Sequence, residues 1–180
     1  LIEIFENRIL AEDGHLKLFF NDDWHCGYDI FSYGHDIEAS WLIHEAALVL
    51  GDPEVLARMD KLVPAVAAAA SEGFSQKEGM IYEKTAEETD ADRHWWVQAE
   101  SIVGYFNLWD HFGSQEGLEN ALCCWEFIKS HIIDHENGEW FWSLRADGTV
   151  NRDDDKAGFW KCPYHNGRMC LEIIERTAQR

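Results

Sequence analysis

The sequence predicts a mainly α-helical chain, built from helical hairpins that form part of a ring or solenoid. Two observations carry this expectation. Apolar residues recur at helical spacing through long stretches separated by Gly, Pro and polar segments. In addition, three times a polar loop or small hairpin leads into a helix whose first turns carry aromatic, His and Glu residues. These starts fall near Tyr33, Trp95 and Tyr164, spaced 62 and 69 residues apart. The first two helices are each followed by a plainer amphipathic helix, which the third lacks. Hairpins that cannot bury both faces alone need neighbours, so a closed toroid would draw part of its ring from elsewhere.

The elements follow in order. Residues 15–31 read as a β-hairpin, with Asn21-Asp22-Asp23 as its turn. A helix is expected from about Gly34 to Leu50, with Ile37, Trp41, Leu42, Leu48 and Val49 as its apolar stripe. Gly51-Asp52-Pro53 stops it, and Pro53 opens the next at a first-turn position where its missing N–H costs nothing. That helix runs to about Ser71, with an expected kink at Pro64. Residues 73–93 form a polar excursion. A third helix spans about Trp95 to Phe112, and Gly113-Ser114 opens a fourth reaching about Ile133 with Leu118, Ala121, Leu122, Trp125, Ile128 and Ile132 inward. A second hairpin uses Glu139 to Ser143 and turns at Asp147-Gly148. The last helix runs from about His165 to Ala178.

Composition narrows the function classes. Of 180 residues, 46% are hydrophobic and 13% aromatic, enough for a sizeable core. Nine Trp are many; most belong in cores, but a Trp cluster in a cleft is also a platform for a sugar ring. A net charge of −19 repels nucleic acid and anionic membranes, so neither is an expected partner. The five cysteines are odd in number, include the adjacent Cys123 and Cys124, and form no CxxC pair. Neither a disulfide framework nor a zinc site is expected, and a reducing, cytoplasmic location is. No apolar run is long enough to span a bilayer. The chain starts at Leu1 rather than Met, so a longer natural N-terminus is expected.

Three constellations could carry chemistry. In Ser32-Tyr-Gly-His-Asp-Ile-Glu-Ala-Ser-Trp41, Ser32 is placed as an N-cap, putting His35 and Glu38 in the first turns. The positive helix end disfavours imidazolium, biasing His35 towards a neutral base. Glu38 could orient that imidazole or bind a hydroxyl; the plainer alternative is a capped, exposed His. A metal reading of His35 and Glu38 lacks further ligands and the HExxH pattern, so no metal is expected. In His94-Trp-Trp-Val-Gln-Ala-Glu100, Trp95 and Trp96 point about 100° apart, so both face inward only if one lines a cavity. Gln98 and Glu100 then sit among apolar neighbours, where they need partners. The alternative is an ordinary amphipathic helix start. In Phe159-Trp-Lys-Cys-Pro-Tyr-His-Asn-Gly-Arg168, His165, Asn166 and Arg168 cluster at a third start. A merely capped helix there does not explain why three starts carry the same kinds of residue.

These three segments resemble the N-acylglucosamine 2-epimerase family, closest to its cellobiose/mannobiose 2-epimerase branch, and the resemblance covers essentially the whole chain. It implies an (α/α)6 barrel about twice this length, of which the chain supplies the second half as one partial domain. It implies that His35 and His165 exchange the C2 proton of a sugar, with Glu38 beside the first. Trp96 and Trp160 match substrate-facing tryptophans, Trp95 being the other candidate for stacking, and Glu100 and Arg168 match polar motif positions. Phe159 departs from the Pro usual before that Trp. The implied reaction needs no cofactor: the sugar opens, one His removes the proton α to the carbonyl, and the other returns one to the opposite face. The implied substrate is a small disaccharide. The absent half normally adds an Arg, a His and a Tyr, so association as a homo-oligomer or with that half is expected, the exposed apolar faces lacking partners. The alternatives are an N-acylhexosamine 2-epimerase or aldose–ketose isomerase on the same scaffold, a glycoside hydrolase using Glu38 and Glu100, and a non-catalytic carbohydrate-binding half-barrel.

Overall fold

The computed structural model describes residues 1–178. A short α1 (Ile2–Ile4) and a π-helical turn (Phe5–Ile9) precede α2 (Tyr33–Leu50), α3 (Pro53–Ala70), α4 (Trp95–Phe112), α5 (Gln115–Phe127) and α6 (Tyr164–Ala178). α3 packs on α2 and α5 on α4, while α4 lies between α2 and α6. The chain thus forms an inner row, α2, α4 and α6, partly backed by α3 and α5. The middle helix is the most enclosed: Trp95 through Asn107 are all buried.

Local chemistry sets these bounds. α2 and α4 both end at a glycine in the left-handed region, Gly51 (φ 68°) and Gly113 (φ 70°). The Asp52 side chain accepts from the amides of Glu54 and Val55, and Ser114 caps α5 through the Gly117 amide. α2 and α4 approach closely at Gly104, where a Cβ would stand 2.5 Å from Ile37 Cγ1. α3 continues through Pro64 to Ala70. The helix after Ser114 runs to Ile132, close to the expected end, but its last turn is π-helical over Ile128–Ile132.

The connections leading into the inner helices carry short strands. β1 (Ile30–Ser32) pairs antiparallel with β4 (Glu83–Thr85), which also pairs with β5 (Thr89–Asp90). β2 (Phe74–Ser75) pairs with β3 (Gly79–Met80), and β6 (Arg93–His94) with β7 (Ser143–Leu144). The expected hairpin over 15–31 is therefore corrected. It keeps one bridge, Phe20 to Cys26, around a turn whose Asn21 side chain accepts from the Asp23 and His25 amides. Its last residues pair instead with the polar excursion, Ile30–Ser32 against Glu83–Thr85. The second hairpin forms around Gly148 (φ 83°), with a bridge from Leu144 to Val150.

Two apolar clusters fill the interior, a large one around α4 and a smaller one joining Ile2, Phe5 and Leu16 to Met59 and Val63. The expected stripes are partly wrong: Leu42, Leu48, Val49 and Leu122 are exposed. Leu122 borders an apolar groove of about 390 Å³ between α4, α5 and α6. All five cysteines are free, and no described helix is long and apolar enough to cross a membrane.

Candidate active site

The starts of α2, α4 and α6 converge at one end of the inner row, with Trp96 at the centre. Its ring lies 4.8 Å from that of His35 and 5.4 Å from that of His165, so both imidazoles flank one indole. Gly34 makes this approach possible: a Cβ there would stand 2.5 Å from Trp96 Cη2. Trp96 is buried beneath, whereas His35 is exposed and His165 half-buried. The histidines therefore present edges to a shared open face.

Each Nδ1 is held by the protein. His35 Nδ1 lies 2.8 Å from Ser32 Oγ, and His165 Nδ1 lies 2.7 Å from Glu100 Oε1. A carboxylate only accepts, so His165 donates from Nδ1 and has Nε2 left for chemistry. Glu100 is completely buried and fully engaged, also accepting from Trp41 Nε1 (3.0 Å) and Arg168 Nη2 (2.7 Å). The same Nη2 reaches Glu38 at 2.5 Å, and Arg168 Nη1 donates to the Tyr164 hydroxyl at 2.6 Å. The guanidinium also lies over the rings of Trp41 and Tyr164, 4.9 and 4.6 Å from their centroids.

Electrostatics follow from this arrangement. Although His35 has an open edge, the surrounding protein displaces much of its water, and this lowers its pKa; Glu38 and Asp36 oppose the shift and His165 reinforces it. His35 is accordingly neutral over a wider pH range than a free imidazole, as a base requires. Burial alone would lower the pKa of Arg168, but Glu100 and Glu38 outweigh it and raise it. Ligand atoms of Glu38, Glu100 and His165 lie within 4.8 Å of one another. The Arg168 guanidinium already sits against both carboxylates and supplies their positive partner.

The structure thus brings His35, Glu38, Trp96, Glu100, His165 and Arg168 together, keeps Trp95 against the edge of this group and sets Trp160 apart. Trp95 is buried, packed 4.6 Å from the Trp142 ring and edge-on to the His165 ring at 6.4 Å. Trp160 is 77% exposed and pairs edge-on with Phe159 on the loop before α6. Three local expectations also change. Ser32 holds the cap position but its hydroxyl goes to His35, not the helix backbone. Glu38 braces Arg168 rather than orienting His35. Gln98 clamps the Met80 backbone in β3 through both ends of its amide, and is structural. Sequence reasoning took Trp41 for a plain core residue and gave Tyr164 no role, although both contact the network. Their positions within the first and third motifs were the available signal.

Comparison with known proteins agrees with this architecture. Residues 1–167 match the family model described as N-acylglucosamine 2-epimerase (GlcNAc 2-epimerase). A cellobiose 2-epimerase of Bacteroides fragilis is 60% identical over 177 residues, covering 97% of this chain and 45% of that protein. One from Ruminococcus albus is 41% identical, covering 89% and 42%. The solved cellobiose 2-epimerase from Spirochaeta thermophila superposes with a TM-score of 0.90 at 36% identity, covering 99% of this chain and 45% of that one. A D-mannose isomerase of 21% identity shares the fold, with a TM-score of 0.82. The chain spans less than half the length of these relatives and has the mainly helical architecture of their (α/α)6 barrels. It belongs to the N-acylglucosamine 2-epimerase family.

Proposed function

We propose that the full-length protein is a carbohydrate 2-epimerase that inverts C2 of the reducing-end sugar of a β-linked disaccharide, cellobiose or mannobiose. The observation that carries the reading is the pair His35 and His165, at equivalent helix starts, flanking Trp96. The reducing-end sugar opens to its aldehyde, and one imidazole Nε2 takes the C2 proton, leaving a cis-enediol. The other, which enters the step as an imidazolium, gives its Nε2 proton to the opposite face, inverting the centre and leaving the first histidine protonated. Two histidines on either side of a planar intermediate, one as base and one as acid, meet that requirement, and the Trp96 indole offers an apolar surface beside the sugar's C–H face. The names of the Bacteroides and Ruminococcus relatives support the disaccharide.

The hydrolase reading is disfavoured by Glu100, which is wholly buried and bonded to three side chains. A glycosidase carboxyl must reach the glycosidic oxygen or the anomeric carbon. Incubating full-length protein with mannobiose or cellobiose in D2O tests the proposal. Deuterium at C2 with the glycosidic bond intact supports it. A ketose product would instead indicate an aldose–ketose isomerase, exchange confined to N-acylhexosamines the other epimerase, and binding without exchange a non-catalytic module.

A further inference from the structure

Ser32 stands at the N-cap of α2 with extended dihedrals (φ −107°, ψ 94°), yet its side chain makes no bond to the helix backbone. A serine there ordinarily accepts from a first-turn amide and so stabilises the helix. Here the hydroxyl is turned to His35 Nδ1 at 2.8 Å, while Ser32 is only 2% exposed, so solvent hardly competes for the bond. The residue is fixed from both sides: its backbone closes the β1–β4 pairing opposite Glu83, and the buried Tyr33 follows it into α2.

The direction of this bond decides what His35 can do. If the hydroxyl donates, Nδ1 is the lone-pair nitrogen and neutral His35 carries its proton on Nε2, where it cannot act as a base. If the hydroxyl accepts, Nδ1 carries the proton and Nε2 is free to take another. Glu100 imposes the second arrangement on His165, because a carboxylate cannot donate. A hydroxyl can match it while adding no charge beside the imidazolium formed during turnover.

We infer that Ser32 is a positioning residue that accepts a hydrogen bond from His35 Nδ1–H and so keeps Nε2 as the nitrogen that exchanges the substrate proton. The inference rests on the two-histidine reading, and a measurement that needs no turnover separates the two. In the full-length protein with 15N-labelled histidine, neutral His35 should show a protonated Nδ1 and a bare Nε2, and Ser32→Ala should move the population towards Nε2–H. A wild-type His35 protonated on Nε2 overturns the inference whether or not the protein epimerises. In D2O with mannobiose, Ser32→Ala should lower kcat for C2 exchange at least about 10-fold with KM within about 2-fold, a typical scale for disturbing a general base. Ser32→Thr, which keeps the hydroxyl, should recover most of the rate. Because Ser32 makes no cap bond, the Ala variant should unfold within a few degrees of wild type, showing that the loss is not misfolding. Equal rates for wild type and Ser32→Ala, or equal losses in Ala and Thr variants that remain folded, overturn the positioning role. If wild type exchanges nothing at C2, the reaction reading and the positioning role fall together, whatever the tautomer.

Discussion

The Nδ1 of His165 lies 2.7 Å from Oε1 of Glu100, the carboxylate that Arg168 and Trp41 also share. A buried acceptor with three donors cannot be altered cheaply. Glu100→Gln keeps the shape but removes the charge and offers an amide that can face His165 with either end. C2 exchange by the full-length protein should fall by roughly two to three orders of magnitude, the range for a general acid–base group. Glu100→Ala additionally leaves Arg168 with Glu38 as its one carboxylate partner and strips the buried donors of their acceptor, and urea unfolding should show a loss of about 3 kcal/mol. A Gln variant with wild-type exchange would dissociate Glu100 from the chemistry.

Arg168 combines two functions that lysine cannot. One nitrogen, Nη2, serves both Glu38 and Glu100, while the guanidinium plane lies on Trp41 and Tyr164. Lysine retains the charge but loses the planar fork and the stacking. Arg168→Lys should cost about 1–2 kcal/mol in denaturant unfolding, on the scale of cation–π contacts. It should also slow exchange about 10-fold by loosening Glu100. Unchanged stability would show that the stacking contributes nothing.

Much of this end of the molecule was readable as sequence. The helix starts were, because Gly51, Pro53 and Gly113 punctuate the chain and each start repeats the same residue types. Contacts of long sequence separation were not. Ile30 pairs with Thr85, and Arg168 meets Glu38 across 130 residues. Strands of two or three residues have no periodicity to detect, and a salt link of that span has no local signature. Trp95 and Trp96 show the same limit: tertiary packing alone decides that Trp96 lies against both histidines while Trp95 reaches only His165. The exposed Leu48 and Val49 fit the helical period, but periodicity cannot say whether a neighbour is present to cover them.

Trp96 should control the titration of His35. Crowding lowers the His35 pKa, so this base stays neutral further into acid than an ordinary imidazole near about 6.5. The His35 limb of kcat/KM should therefore lie below that value. Removing the indole 4.8 Å away in Trp96→Ala readmits water, raises the His35 pKa and moves the limb to higher pH. A limb that stays in place when the indole is gone would assign the depression to other neighbours.

A second buried pair predicts a pH dependence of stability. His15 Nδ1 lies 2.7 Å from Asp36 Oδ2, and Asp36 Oδ1 accepts from the Leu16 amide, joining the N-terminal segment to the first turn of α2. The bond to Asp36 raises the His15 pKa against the opposing effect of burial, while burial raises that of Asp36. Both shifts mean that the folded state holds a proton more tightly than the unfolded chain. The contribution of His15 is therefore complete below about 6.5, its unfolded value, and disappears as pH rises through the folded value. Thermal unfolding followed from pH 6 to 9 should show Tm declining, with a shallower decline in His15→Gln. Parallel declines in both proteins would place the dependence elsewhere.

Gly34 gives the most direct test of how the three helix starts are assembled. An added Cβ would stand 2.5 Å from Trp96 Cη2 and 2.7 Å from Val97 Cγ2, inside any tolerable contact. Relief requires α2 and α4 to separate or the indole, only 8% exposed, to rotate away from His35. Gly34→Ala gains helix propensity, yet overpacking of this kind costs about 1–3 kcal/mol. The variant should unfold at lower temperature, with altered tryptophan fluorescence and slower C2 exchange. A variant as stable as wild type, with unchanged fluorescence, would mean that the starts of α2 and α4 are not held in contact through the indole.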